Sequence, residues 1–275
     1  MNVLFLGDLV GETTISFLKK NLPNIKKKYN LSFVIVNGEN LANGYGITPA
    51  MCDRLFEIGI NVISSGNHIW DQEKIIPYIA KQKKLLRPIN YSENAPGNGL
   101  GVFKDRQGKK IVVVNIQCNL FMQKANNAFS EVKKILEKIK LKISCDAIFI
   151  DLHGEVASEK QAFANMLDGK VTAVMGTHTH VPTSDLRVLP NGTAFQTDTG
   201  MCGDYDSVIG GEKKSWIEKF QSKNNFKKIN CSIKNVTLCG AIIKVNEYNG
   251  LSTLAEQIII GKTLDNKIPK EGLFK

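Results

Sequence analysis

Five short apolar runs in this chain each end in a polar turn that carries glycine, and this recurrence constrains the fold more than any other feature. The turns are Gly7-Asp8-Leu9-Val10-Gly11, Asn37-Gly38-Glu39-Asn40, Ser65-Gly66-Asn67-His68, Asp151-Leu152-His153-Gly154-Glu155 and Gly176-Thr177-His178-Thr179-His180. The runs before them read as buried strands at Asn2–Leu6, Phe33–Val36, Asn61–Ser64, Ala147–Ile150 and Val171–Val174. Helical patterns separate several of them: one over about 13–29, one opened by Thr48-Pro49, one over 131–141, and one starting with a Ser158/Gln161 capping box and ending near Leu167. Strand and helix in alternation give an α/β fold built on parallel βαβ units.

Two hairpins interrupt the alternation, one over 100–116 around Gln107-Gly108 and one over 186–195 around Asn191-Gly192. The last third, Val236–Val245 and Thr253–Ile260, reads as β-rich. No linker, repeat or low-complexity segment divides the chain, so 1–275 is expected to be one domain, near the upper size for a single core.

Composition excludes several classes. With 43% hydrophobic and 23% charged residues, the chain is neither disordered nor fibrous, and no run reaches the ~18 apolar residues of a membrane span. The six cysteines, Cys52, Cys118, Cys145, Cys202, Cys231 and Cys239, lack zinc-knuckle or disulfide spacing and read as reduced thiols, which points to a cytoplasmic protein. The net charge of +10 draws anions, but its lysine clusters are scattered and carry no interleaved aromatic platform, so RNA is a weakly supported partner. Gly108-Lys109-Lys110 is no phosphate loop, because its spacing is wrong and it joins antiparallel strands.

In open α/β sheets the carboxyl ends of strands are where ligands bind, so the five turns are expected to converge on one edge. All four histidines, His68, His153, His178 and His180, lie in these turns. Imidazole, carboxylate and amide oxygen together suit zinc, iron, manganese or magnesium. One ion takes about four to six donors. The set Asp8, Glu39, Asn40, Asn67, His153, His178 and His180 exceeds that and fits two divalent ions sharing a carboxylate. Two ions ~3.5–4 Å apart lower the pKa of a shared water from 15.7 toward about 7 and clamp an in-line phosphoryl displacement. For His178 and His180 to serve neighbouring ions, their turn is expected to be extended, since i and i+2 then project alike. Pro182 supports this by disfavouring helix at Val181.

These motifs, in this order, resemble the calcineurin-like metallophosphoesterase superfamily, whose signature runs GDxHG, GDxxD, GNH plus an acid, a lone histidine after a strand, and GHxH. Over roughly residues 2–210 they stand here as Gly7–Gly11, Gly38-Glu39-Asn40, Gly66-Asn67-His68-Ile69, His153-Gly154 and Gly176–His180. Val10 replaces a usual histidine ligand, Glu39 the usual bridging aspartate, and Ile69 the acid after the histidine. Those departures, with the segment 199–210, are similar to the YmdB-type branch.

The resemblance implies a four-layer αββα sandwich of two mixed β-sheets flanked by helices. It implies that Asp8, Glu39, Asn40 and His180 hold one ion and Glu39, Asn67, His153 and His178 the other. His68 then has no ligand role and protonates the leaving oxygen as the catalytic acid. The expected activity is hydrolysis of a small anionic phosphodiester, a cyclic nucleotide of the 2′,3′ or 3′,5′ type, by attack of a metal-bridging hydroxide. Two alternatives stay open: a phosphomonoesterase or nucleotidase, and a non-catalytic nucleotide- or RNA-binding module, which the absent histidine at Val10 motivates. A homo-oligomer is the default for a soluble enzyme.

Smaller features carry paired readings. Asn43–Gly46 forms either a substrate rim, with Tyr45 against a base, or a plain turn. The segment Gly200–Gly210 either closes over substrate or joins elements. Asp71 and Asp151 either orient ligand imidazoles or are ordinary turn acids, and Trp70 is a packing residue.

Overall fold

A computed structural model describes residues 1–221 and 228–275. Its first sheet contains β1 (Asn2–Val10), β2 (Leu31–Asn40), β3 (Val62–Ser64), β10 (Met201–Asp204), β11 (Val236–Val245) and β12 (Ser252–Ile260), in the order β12-β11-β10-β1-β2-β3. The second contains β4 (Leu100–Lys104), β5 (Lys110–Gln117), β6 (Ala147–His153), β7 (Ala173–Thr177), β8 (Arg187–Val188) and β9 (Ala194–Gln196), in the order β4-β5-β6-β7-β9-β8. Both sheets are mixed. β1 runs parallel to β2 and antiparallel to β11, and β5, β6 and β7 are parallel, with β4 antiparallel at the edge.

Side-chain alternation along the strands creates the layers. Val3 and Phe5 of β1 and Phe33 and Ile35 of β2 face Val113, Phe149 and Met175 of the other sheet, forming the core between the sheets. The intervening residues Leu4, Leu6, Val34 and Val36 face outward onto Leu18, Leu22 and Ile25 of α1 (Thr13–Lys28) and Leu55 of α2 (Pro49–Glu57). On the far side Val112, Val114, Ile148, Ile150 and Val174 pack on Val132 of α4 (Ala128–Lys138) and Phe163 of α5 (Ala157–Leu167). The result is the expected helix-sheet-sheet-helix sandwich. Two short helices complete it, α3 (Ile75–Ile79) and α6 (Lys213–Gln221), neither of which has a strong sequence signal.

Several local expectations hold. Thr48 caps α2, its hydroxyl accepting the Met51 N–H at 3.3 Å with Pro49 in the first turn. Trp70 packs against the first core, and both hairpins form. Others are corrected. α4 starts three residues earlier and ends three earlier than the periodicity suggests, because Asn127 caps it by accepting the Ser130 N–H at 3.0 Å. The Ser158/Gln161 capping box does not form; Val156 occupies the cap position, with no side-chain cap. Two inward polar anchors set that helix instead: Glu159 accepts the N–H groups of Asn119 and Leu120, and Lys160 is wholly buried. The segment 200–210 is not simply a loop, since its first part is β10, paired with β1 and β11.

Candidate metal centre

The strands run further than their apolar stretches. β1 continues through Asp8 to Val10, β2 through Glu39 to Asn40, and β6 through Asp151 to His153, so these polar residues belong to strands and not to turns. The ladder satisfies the backbone there, and the buried side chains find partners of their own. Asn67 and His68 follow β3, and His178 and His180 follow β7. Every residue expected at the site is thereby brought to the carboxyl ends of strands in the two sheets, β1, β2 and the edge strand β3 in one and β6 and β7 in the other.

The donors fall into two groups. In the first, His153 Nε2 lies 3.0 Å from Glu39 Oε1, 3.0 Å from Asn67 Oδ1 and 3.1 Å from His178 Nδ1. Ligand atoms of Glu39, His153 and His178 all sit within 4.8 Å of one another. In the second, His180 Nε2 lies 3.3 Å from Asn40 Oδ1 and 4.0 Å from Asp8 Oδ1. Asp8 Oδ2 accepts the backbone N–H of His178 at 3.1 Å, whereas Oδ1 is buried without a hydrogen-bond partner. An orphaned carboxylate oxygen facing an imidazole nitrogen and an amide oxygen is what a divalent cation would satisfy, so the residues present fit the ions expected of them.

Neighbouring groups aim the imidazoles. Thr177 donates its hydroxyl to Asp151 Oδ1 at 2.6 Å, leaving its oxygen to accept Nδ1–H of His153 at 2.9 Å and turning Nε2 to the cluster. His180 donates Nδ1–H to the Ile209 carbonyl at 2.8 Å, again turning Nε2 inward. His178 is reversed: Nδ1 faces the cluster, and Nε2–H points at Glu155 Oε2, 3.3 Å away. Asn40 donates its amide N–H to the Gly44 carbonyl at 3.1 Å, which fixes Oδ1 toward His180. Asp151, read from sequence either as an orienting acid or as an ordinary turn acid, touches His153 only through Thr177, while also accepting from Asn37 at 2.9 Å and from Ser64. The sequence reading missed Thr177, although a hydroxyl between a glycine and a histidine on a buried strand is the signal that marks it.

The turn between the two last histidines is not extended. His178 has φ 105° and His180 φ 67°, both in the region that side chains other than glycine seldom occupy. Two left-handed residues fold the turn so that both imidazoles return to the site, and such strain persists only where the surroundings over-determine it.

Charge follows the geometry. Burial pushes the Asp8 carboxyl up to about 6. Burial would raise Glu39 too, but the His153 charge and hydrogen bond outweigh it and hold Glu39 at about 2. Burial pulls His153 down, yet Glu39 prevails and lifts it to about 9. A divalent ion would take the place of the proton that Glu39 and His153 otherwise share. His178 is pressed down to about 3 by burial and the adjacent His153 charge, leaving it a neutral donor.

Glycines permit the close approach. A Cβ on Gly66 would lie 2.2 Å from His153 Nε2 and 2.4 Å from Glu39 Oε2. One on Gly7 would lie 1.8 Å from the Gly200 carbonyl oxygen, and one on Gly176 1.8 Å from that of Thr197. Gly66 is thus required by the side chains of His153 and Glu39, and Gly7 and Gly176 by the backbone of segment 197–200 as it passes from β9 of one sheet to β10 of the other.

Above the cluster opens a cleft of about 490 Å³, walled by Tyr45, His68, Glu155, His178, His180 and Trp216. His68 holds no position among the donor atoms. Its backbone N–H is given to Glu39 Oε2 at 3.1 Å, and its Nδ1 lies 2.7 Å from Asp71 Oδ2, leaving Nε2 for a ligand. Asp71 is therefore an orienting group. Tyr45 packs edge-on against His68 with centroids 5.5 Å apart, and the Lys228 ammonium sits 4.3 Å above its ring, so Tyr45 lies at the rim with one face taken.

A two-sheet sandwich with carboxylate, amide and imidazole donors at its strand ends defines the metallophosphoesterase class. Within that class the chain belongs to the YmdB-like protein family, whose model matches residues 4–258. It is 36% identical over 260 residues to the 2′,3′-cyclic-nucleotide 2′-phosphodiesterase of Bacillus subtilis (strain 168), covering 94% of this chain and 97% of that protein. Among solved structures, it resembles one described as a novel phosphatase from Mycoplasma pneumoniae, with TM-score 0.85, 34% identity and coverage of 99% of this chain and 96% of that one. It also resembles a hypothetical protein from Thermus thermophilus, with TM-score 0.87, 32% identity and coverage of 95% and 100%.

Proposed function

We propose that residues 1–275 form one hydrolytic phosphoesterase unit with a dinuclear metal centre, acting on cyclic nucleotides. The observation that carries this reading is the division of the polar side chains into two groups, with Glu39, Asn67, His153 and His178 in one and Asp8, Asn40 and His180 in the other; in this reading Glu39 would be the carboxylate shared between them. The named activity of the Bacillus subtilis relative favours the 2′,3′-cyclic class; the 3′,5′ class belongs to the same test. Bound at these donors, two divalent ions would supply Lewis acidity and an activated water for attack on phosphorus.

The chain's own residues do the rest. Glu155 and the Ile209 carbonyl hold the outer ring N–H groups of His178 and His180, and Thr177 holds that of His153, so that each inner nitrogen keeps its lone pair. His68, held by Asp71 through Nδ1, presents Nε2 to the cleft and gives a proton to the departing ribose oxygen. The six cysteines are unpaired, in keeping with a cytoplasmic placement. Among the described residues, no helix is long and apolar enough to cross a membrane.

The test is hydrolysis of 2′,3′- and 3′,5′-cyclic nucleotides beside a simple phosphomonoester by the Mn²⁺-loaded protein. Turnover of a cyclic nucleotide above the monoester is expected. Monoester turnover alone would replace the reading with a phosphatase, and two bound ions without turnover would favour a binding module.

A further inference from the structure

Lys160 is wholly buried on α5, and its ammonium donates to Asp198 Oδ2 at 3.0 Å and to the Thr177 carbonyl at 2.8 Å. Asp198, equally buried, lies on the crossover between the two sheets. Its Oδ2 also accepts the N–H of Thr179 at 3.0 Å, midway between His178 and His180, and its Oδ1 accepts the N–H of Gly200 at 2.9 Å. The Gly200 carbonyl in turn accepts the N–H of Asp8 at 3.2 Å. A single carboxylate thus ties the strained histidine turn of the second sheet to the segment that contacts Asp8 in the first. Thr199 N–H to the Gly176 carbonyl at 2.8 Å and Met201 N–H to the His180 carbonyl at 3.2 Å reinforce the same junction.

We infer that Asp198 is a positioning residue for the metal centre, holding His178 and His180 in register with Asp8, and that Lys160 is the fixed counter-charge that lets a carboxylate serve there. The inference rests on reading the site as a metal centre. A buried ion pair is weak evidence of a stabilising role, since apolar replacements are often neutral or better. The contacts of this pair go to backbone atoms on both sides of two metal donors. Without the carboxylate, the Thr179 N–H loses its acceptor, and the turn loses the bond at its midpoint that holds it at φ values ordinary residues avoid. The same carboxylate relays position to the ligands of both ions, in the way outer groups orient metal ligands elsewhere.

The experiment compares the full-length parent with Lys160→Met, Asp198→Asn and the double variant Lys160→Met/Asp198→Asn. Each is stripped of metal, followed through thermal unfolding, and titrated calorimetrically with Mn²⁺ alone. Asp198→Asn is expected to bind Mn²⁺ about 10–100-fold more weakly. Lys160→Met, left with an unpaired buried carboxylate, is expected to lose most in thermal stability. The double variant is expected to recover that stability yet bind Mn²⁺ as weakly as Asp198→Asn, a separation that a merely structural pair would not give. Should either single variant fail to fold, the double variant decides. Parent-like Mn²⁺ affinity in the folded double variant overturns this inference alone. A parent chain that binds no Mn²⁺ overturns the metal reading and this inference with it, whereas one that binds Mn²⁺ without hydrolysing cyclic nucleotides overturns only the substrate.

Discussion

Glu39 Oε1 lies 3.0 Å from His153 Nε2, and the two side chains, both almost wholly buried, come from different sheets. Glu39 stands at the end of β2 in one, His153 at the end of β6 in the other, and the sandwich brings the two strand ends together. The site therefore lies at the junction of the two sheets, and changes at that junction are expected to register in metal binding.

Thr177→Val keeps the shape of a β-branched strand residue and removes the hydroxyl linking Asp151 to His153. The His153 ring then loses the acceptor that selects its tautomer. Mn²⁺ affinity is expected to fall about 10–100-fold. Leaving Asp151 short of a donor is expected to cost about 1–3 kcal/mol. Calorimetric titration and denaturant unfolding check the two effects, and unchanged affinity would contradict the role given to Thr177.

If His68 is the proton donor proposed above and no metal ligand, His68→Ala is expected to lower kcat by roughly 10²–10⁴-fold with Mn²⁺ content intact. Asp71→Asn, which keeps a polar partner for Nδ1 but removes the charge, is expected to fall between parent and His68→Ala. A loss of metal in His68→Ala, measured on the purified protein, would move His68 into the ligand set.

Gly176→Ala would place a methyl 1.8 Å from the Thr197 carbonyl oxygen, a backbone atom that can yield only by moving the crossover. A loss of about 1–3 kcal/mol or more is expected in denaturant unfolding. Parent-like stability would show the crossover to be loosely held.

Asp185 anchors the other side of that crossover, accepting the hydroxyls of Thr183 and Thr197 at 2.6 Å each and the Thr197 N–H at 3.1 Å. Partial burial pushes its carboxyl up, but these hydrogen bonds outweigh it and hold it below the ordinary value of 3.8. A carboxyl depressed by folding contributes stability that is full above its unfolded pKa and disappears as pH falls through the folded one. Asp185→Asn is therefore expected to destabilise the protein near pH 7, with the difference from parent shrinking below about pH 4. Urea midpoints at pH 7 and pH 3 measure this, and a gap independent of pH would contradict it.

The convergence of the residues proposed as donors was legible in the sequence because each lies at the end of an apolar run that reads as a buried strand, and strand ends are where such sheets place ligands. Asp8, Glu39, Asn40, Asn67, His153, His178 and His180 all reach the site, and His68 stands beside it. The supports were not legible. Lys160 lies in an amphipathic helix where a lysine reads as a solvated face, and its partner Asp198 is 38 residues further on. Thr177 resembles any strand threonine until Asp151 is seen behind it. The extended HxH turn was the wrong geometry because residues from another sheet, not local preference, impose the positive φ values. β10 escaped notice because only four residues pair, in a segment whose glycines signal a loop.

The central claim is that these donors hold two ions bridged by Glu39, and metal counting tests it most directly. Elemental analysis of the Mn²⁺-saturated, desalted parent beside Glu39→Gln is expected to give two ions per chain in the parent and one or none in the variant, with hydrolysis abolished. A parent holding a single ion, or a Glu39→Gln protein that keeps both ions and its turnover, would contradict it.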